Sequence, residues 1–519
     1  MSSAVGDRAR FQGALLGLAA GDAVGATVEF KAPGTFARVT DLVGGGPFAL
    51  PAGAWTDDTS MALCLAESLV ERGGFDPVDQ LERYVRWYRE GYWSSTGRCF
   101  DIGGATRAAL HQFERSHEPY PGDRDRQAAG NGPLMKLAPI ALAYATHPSE
   151  AIRCAGLSAR TTHGAPEAID ACRYWALLLV GALRGASRDE LLGVGGGLGA
   201  VLPDPWGDEP LHPKIAAIAA GSFREKSPPA IRGSGYIVDA LEAALWAVSS
   251  TDDFEAAVLA AVNLGDDADT TAAIAGQLAG AIYGVDAIPK RWRDQIVMRD
   301  EILALADALR AGAASFDPSG EPLTPRKPAE TPRPRIHQRA PHAPAPTPTG
   351  VDAYWAVPGR LLAGEYPGAR DRHEAAAKLD ALLDTGVTCF VDLTEEGEGP
   401  PLHPYGALLR ARAVARGTHV TVLRFSVPDV GIPAPWQMRA ILSAIGLALD
   451  ADEIAYVHCW GGVGRTGTVI GCRLVEDGVP ASEVLSRIAE LRSATARAGR
   501  ISPETSDQRS FVTSWLARR

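Results

Sequence analysis

A chain of 519 residues with a formal net charge of −11 is too long for a single hydrophobic core and too acidic to hold nucleic acid by neutralising phosphates. Hydrophobic residues at 46% and charged residues at 22% are those of ordinary folded protein, and no apolar run is long enough to span a bilayer. Seven cysteines without a Cys-x-x-Cys pair offer neither a disulfide framework nor a zinc site; with a polar start that lacks a signal-peptide core, they predict a cytoplasmic enzyme.

Residues 11–18 begin a helix, and Gly17, Ala19, Ala20, Gly21 and Gly25 make its continuation small and closely packable. Glu29, beside Phe30, reads either as a partly buried carboxylate or as a surface acid at a helix end. Next comes Trp55-Thr56-Asp57-Asp58-Thr59, set directly before the periodic run Met61, Leu65, Leu69 that Gly73-Gly74 closes. That is a helix with its N-terminus at an acidic cluster. A second copy, Asp266-Asp267-Ala268-Asp269-Thr270, opens the apolar stretch 272–283 before Gly284. Helix capping accounts for one Asp or Thr at each start. It does not account for four or five carboxylates gathered at two helices, whose repulsion needs a counter-cation. Thr56, Asp57, Asp58, Asp267, Asp269 and Thr270 are therefore candidate oxygen ligands of a divalent-cation pair.

Between these blocks the chain is rich in alanine and leucine with helical periodicity, at 77–89, 135–144, 166–183, 237–248 and 254–263, and convincing strands are absent. An all-α domain is expected over 1–315. Residues 316–350 turn Pro-rich and locally basic with almost no aliphatic side chains, the composition of an extended linker. From 351 to 519 the pattern is α/β, with strands expected at 388–393, 419–425 and 454–458, and helices at 434–449, 464–476 and 481–492. Such alternation implies a parallel or mixed sheet.

Six blocks in order make the first domain resemble the ADP-ribosylglycohydrolases, including the dinitrogenase-reductase-activating type. They are Gly21-Asp22-Ala23-Val24-Gly25-Ala26-Thr27-Val28-Glu29-Phe30, the Trp55 block, Gly130-Asn131-Gly132-Pro133, Thr161-Thr162-His163-Gly164, Gly233-Ser234-Gly235-Tyr236 and the Asp266 block. The resemblance implies a helical fold with two Mg²⁺ or Mn²⁺ ions on the six residues above. It gives Glu29 a role in catalysis or in positioning water, and places Asn131, His163 and Tyr236 near ADP-ribose. Asp266, glycine in some relatives, either stands in for Asp267 or is exposed.

In the second domain His458-Cys459-Trp460-Gly461-Gly462-Val463-Gly464-Arg465-Thr466 joins a strand to a helix. Backbone amides of Gly461, Gly462, Val463 and Gly464 can cradle an oxyanion there, aided by the helix N-terminus. The same field favours the Cys459 thiolate as a nucleophile. Arg465 can grip two phosphate oxygens, and Thr466 can donate a hydrogen bond to the sulfur. This segment resembles the protein tyrosine and dual-specificity phosphatases. The likeness gives Asp429, in Val427-Pro428-Asp429, the place of the general acid, with Asp392 as a second candidate or a structural turn residue. Gln508 either positions the hydrolytic water or is a surface helix residue.

The whole chain reads as a bifunctional hydrolase acting on an ADP-ribosylated protein or small molecule and on a phosphorylated substrate, with no nucleic-acid or membrane partner. The alternative is an ADP-ribose-binding module that recruits an active phosphatase.

Overall fold

Four glycines at four-residue spacing, Gly13, Gly17, Gly21 and Gly25, run along one side of helix α1, Asp7–Gly25. In the computed structural model, which describes residues 6–125, 128–193, 203, 205–207, 209–313, 347–395, 398 and 404–515, this stripe lies against the antiparallel helix Ala268–Tyr283. A Cβ on Gly13, Gly17 or Gly21 would come within 2.2, 2.4 and 2.1 Å of the carbonyl oxygens of Gly280, Gly276 and Ala272. Backbones this close leave room for hydrogen alone. The register carries a functional consequence, because it sets Asp22 near the end of α1 beside Asp269 in the first turn of the partner helix.

Helix α2, Asp57–Arg72, begins after an extended Thr56 and ends on Gly73 at φ 65°. Its cap comes from elsewhere in the chain. The Asp22 carboxylate accepts from Thr56 N at 2.8 Å, Thr59 N at 3.0 Å and the Thr59 hydroxyl at 2.6 Å. One acidic side chain thus locks α1 to the start of α2.

The chain divides into two units, Met1–Thr331 and Pro332–Arg519. The first is helical, as expected, with Pro77–Glu90, Pro166–Leu183, Ile237–Ser249 and Phe254–Val262 close to the ranges read from periodicity. The stretch expected as one helix at 135–144 is instead two, Gly132–Met135 and Ala138–Ala143; Pro139 near the start of the second has no N–H for a continuous ladder. Among the described residues this unit has isolated bridges in place of strands, including Gly130 with Tyr236. Most of the expected linker, 316–346, lies outside the described residues.

The second unit holds a five-stranded mixed sheet in the order β1-β2-β5-β3-β4, formed by Ala353–Val357, Leu361–Gly364, Ile454–His458, Val387–Asp392 and Thr421–Arg424 respectively. β1 is antiparallel to β2 and the remaining pairs are parallel. The β1–β2 hairpin was not expected from periodicity, since both strands are short and buried on both faces for much of their length. Its signal is the turn Pro358-Gly359-Arg360, with Gly359 at φ 70°. Asp392 ends β3 opposite His458 at the end of β5, so the loops after these parallel strands open at one edge of the sheet, where ligands bind in such folds. Among the described residues, no helix is long and apolar enough to cross a membrane.

Candidate active sites

The two acidic helix starts meet in the first unit. Carboxylate oxygens of Asp22, Asp58 and Asp269 lie within 4.8 Å of one another, and a second triad at the same spacing joins Glu29, Asp101 and Asp269. The Thr56 hydroxyl is 3.0 Å from Asp22 and 3.2 Å from Asp269, while Thr270 donates to Asp58 at 3.1 Å. Asp267 accepts from the Asn131 amide at 2.9 Å, and its charge acts on Asp57, Asp58 and Asp269. Glu29, Asp58 and Asp269 are all buried, which removes the reading of Glu29 as a surface acid.

Seven acids crowded together cannot all ionise without compensation. Burial first, and mutual repulsion second, push Glu29, Asp57, Asp58, Asp101 and Asp269 well above the usual carboxylate range. Burial also raises Asp22, to about 6 against its hydrogen bonds from Thr59 and Thr56. Three buried oxygens, Glu29 Oε2, Asp58 Oδ2 and Asp269 Oδ1, have no hydrogen-bond partner. An all-oxygen, acidic donor set with buried, unpartnered oxygens fits a hard divalent cation.

The backbone around the cluster is strained. Phe30, Asp101 and Asp266 all take positive φ, at 61, 60 and 57°. Phe30 N donates to Asp266 O at 2.7 Å, and Asp266 N returns to Lys31 O at 2.8 Å. The Asp266 main chain is thus tied to the Phe30–Lys31 segment immediately before Asp267 and Asp269.

Of the three residues expected near ADP-ribose, Asn131 and Tyr236 sit on paired backbone: Asn131 N bonds Gly235 O at 3.1 Å. His163 is buried beneath that loop, where an added Cβ on Gly130 would be 3.0 Å from its Nε2. Burial and the nearby Lys136 charge push His163 down to about 3, so it is a neutral support at physiological pH. Lys136 is itself buried, lowered to about 8 chiefly by desolvation, and donates to Thr162 at 3.2 Å.

In the second unit, Cys459 is buried at the base of a cleft lined by Trp460, Gly461, Val463, Gly464, Arg465 and Asp429. The helix Arg465–Glu476 starts at its edge. Gly462, at φ 68°, allows the loop to turn against β2, where a Cβ would be 2.6 Å from the Gly364 carbonyl carbon. Arg465 donates to both oxygens of Glu398, to Asp429 at 3.0 Å and to Val427 O at 2.9 Å. Its fork is thus held by Glu398, an acid that the sequence reading missed.

Asp429 lies on the rim, mostly exposed, followed by Val430 at φ 55°, a strained conformation for a β-branched residue. Asp392 is the structural residue of the two acid candidates. It is fully buried, accepts from Thr394 N at 2.9 Å and pairs with Arg424 at 2.8 Å. Burial would raise its carboxyl, but the charges of His458 and Arg424 outweigh this and hold it low.

One alternative reading is removed and one expected contact is absent. Gln508 is buried, not a surface residue. Its carbonyl caps Glu504 N and Thr505 N, and its amide donates to Gly431 O at 2.8 Å, tying the Asp429 loop to the last helix. Thr466 does not bond the sulfur here; its hydroxyl is buried with no partner.

Residues 3–317 match the family model described as ADP-ribosylglycohydrolase. The chain belongs to the ADP-ribosylglycohydrolase family. Residues 367–479 match a second family, described as polymorphic toxin system, DSP-PTPase phosphatase, so an ADP-ribosylglycohydrolase domain is followed by a phosphatase domain. The ADP-ribosylarginine hydrolase Tri1 of Pseudomonas putida (strain GB-1) is 47% identical over 309 residues, 59% of this chain and 80% of that protein. The protein of the same name from Serratia proteamaculans (strain 568) is 44% identical over 298 residues, 57% and 78% of the two chains. A solved structure titled "ADP-ribosylglycohydrolase-related protein complex" superposes with a TM-score of 0.52 at 49% identity, covering 59% of this chain and 99% of its own.

Within this ADP-ribosylglycohydrolase domain, Asp22 and Asp101 went unread as site residues. Asp22 had a signal in its setting, a lone acid on an otherwise apolar, glycine-rich helix face. Asp101 had none, since it sits in an irregular loop and reaches Glu29 only through the fold.

Proposed function

We propose that the chain is a bifunctional hydrolase. Its first domain removes ADP-ribose from arginine in a divalent-cation-dependent reaction, and its second hydrolyses a phosphomonoester through Cys459. The observation that carries the first half is the pair of carboxylate triads sharing Asp269, in which three buried oxygens have no hydrogen-bond partner. Arginine as acceptor is supported by the relatives named as ADP-ribosylarginine hydrolases.

Thr56, Asp57, Asp58, Asp267, Asp269 and Thr270, now joined by Asp22, would hold the cations, which when bound supply Lewis-acid polarisation and orient ribose hydroxyls or water. The bond from C1″ to the guanidine nitrogen breaks with oxocarbenium character, a hydroxyl from water adds to C1″, and the remaining proton ends on the leaving guanidine. Glu29 and Asp101 share a hydrogen bond and both hold protons more tightly than an ordinary carboxylate, so this pair takes the proton from the attacking water and passes it to the leaving guanidine. Asn131 fixes Asp267, and His163 supports the Asn131 loop.

In the phosphatase domain the Cys459 sulfur attacks phosphorus, the ester P–O bond breaks, and Asp429 gives its proton to the leaving oxygen. Water then attacks phosphorus, the S–P bond breaks, and the water proton returns to Asp429. Gln508 holds the loop that delivers this acid.

Two measurements test these assignments. With Mg²⁺, the full chain is expected to release free ADP-ribose from ADP-ribosylarginine, and a chelator should stop it; chelator-resistant release at the same rate would overturn the metal site. Asp429→Asn is expected to lower kcat by about 100-fold on an alkyl phosphate and much less on p-nitrophenyl phosphate, whose leaving group needs no proton. Equal losses on both would remove Asp429 as the acid.

A further inference from the structure

The ADP-ribosyl group brings two phosphate charges to a domain whose centre is a cluster of carboxylates. Those charges need a cation of the protein's own, beyond any that the carboxylates gather. Lys214 is placed to be that cation. Its ammonium donates to the Tyr236 hydroxyl at 2.7 Å and lies 5.1 Å from the centre of the Tyr236 ring. Tyr236 is bridged through its backbone to Gly130, and the neighbouring Asn131 reaches Asp267. The lysine head is thus linked, through Tyr236 and the Gly130 bridge, to the segment whose Asn131 side chain contacts Asp267.

The position is built. Glu167 is buried, and one of its oxygens has no hydrogen-bond partner, while its other oxygen lies 3.7 Å from the Lys214 ammonium and 3.6 Å from His212 Nε2. A buried carboxylate beside a half-exposed lysine holds the long side chain in one place and keeps it charged. An ammonium has three N–H groups and Tyr236 takes one. By accepting from Lys214, the phenol also keeps its own O–H available as a donor. Together they present N–H and O–H groups with a net positive charge, the pairing a pyrophosphate oxygen accepts from.

We propose that Lys214, with Tyr236, grips the pyrophosphate of the ADP-ribosyl group, and that Glu167 is the residue positioning Lys214. The inference rests on the reading of this domain as an ADP-ribosyl hydrolase and adds the residue that sets its preference for a pyrophosphate-bearing sugar.

The test uses the full chain with Mg²⁺ and compares wild type, Lys214→Met and Lys214→Arg. In Lys214→Met, KM for ADP-ribosylarginine is expected to rise about tenfold with kcat within about twofold, and the inhibition constant of free ADP-ribose to rise by the same factor. The dependence of KM on salt should flatten, because the lost contact is ionic. Lys214→Arg should recover most of the affinity. An unchanged KM, or a fall in kcat with KM and ADP-ribose inhibition intact, would overturn the assignment. Failure of the underlying reading shows differently: wild type itself would then neither release nor bind ADP-ribose.

Discussion

Asp269→Asn is expected to lower ADP-ribose release from ADP-ribosylarginine by about a thousandfold or more, with aryl phosphate hydrolysis by the same chain unchanged. Asp269 is the one carboxylate common to both triads, and the Thr56 hydroxyl rests against it. Losing it removes a donor from both positions at once, whereas Asp58 or Glu29 serves one. The same change should stabilise the metal-free protein. Asp269 is buried among like charges with one oxygen unpartnered, so its neutral amide relieves repulsion. A rise in Tm of about 2 °C or more is expected without metal, while the stabilisation that Mg²⁺ gives wild type, about 2.7 kcal/mol at a hundredfold excess over Kd, should vanish. A variant that kept metal-dependent turnover near the wild-type rate would dismantle the shared site.

The direction of the pH dependence follows from the same crowding. Asp22 titrates near 6 in the folded protein, above its unfolded value of about 3.9. Below about pH 4 the group is protonated in both states and costs nothing; as pH rises through about 6 the folded state must carry a charge it disfavours. Metal-free protein should therefore lose stability between about pH 4 and 7, and added Mg²⁺ should restore it at the upper end of that window. Thermal melts across pH, with and without the ion, measure this directly.

Much of the site was legible in the chain because chemistry there is concentrated in short runs. Thr56-Asp57-Asp58 and Asp267-Ala268-Asp269-Thr270 carry their ligand types in sequence, and Cys459 to Arg465 spans one loop. The residues that escaped are those whose role comes from packing between distant segments. Asp22 acts because the glycine seam lets α1 approach the Ala268–Tyr283 helix, and a seam is visible as small residues but not as a partner. Glu398 lies in an acidic, glycine-containing loop where no spacing singles out one acid, yet it holds both terminal nitrogens of Arg465. The β1–β2 hairpin escaped for a different reason: strands of five and four residues are too short to show a period.

Cys459→Ser is expected to reduce p-nitrophenyl phosphate hydrolysis by at least about 10⁴-fold while inorganic phosphate and tungstate still bind within a few-fold of wild type. The proposed oxyanion cradle would draw on the amides of Gly461 to Gly464, on Arg465 and on the start of the Arg465–Glu476 helix, and a serine at 459 alters none of these residues. What it removes is the sulfur proposed to form the bond to phosphorus, and a serine hydroxyl is a far weaker nucleophile in its place. ADP-ribose release should be untouched, because the carboxylate triads belong to the other unit. The pairing of assays decides between two sources of phosphate release. Divalent cations on carboxylates can also cleave phosphate esters, so hydrolysis that survives Cys459→Ser but falls with a chelator would be assigned to the Asp269 site. Hydrolysis surviving both treatments would leave neither site responsible and would remove Cys459 as the nucleophile.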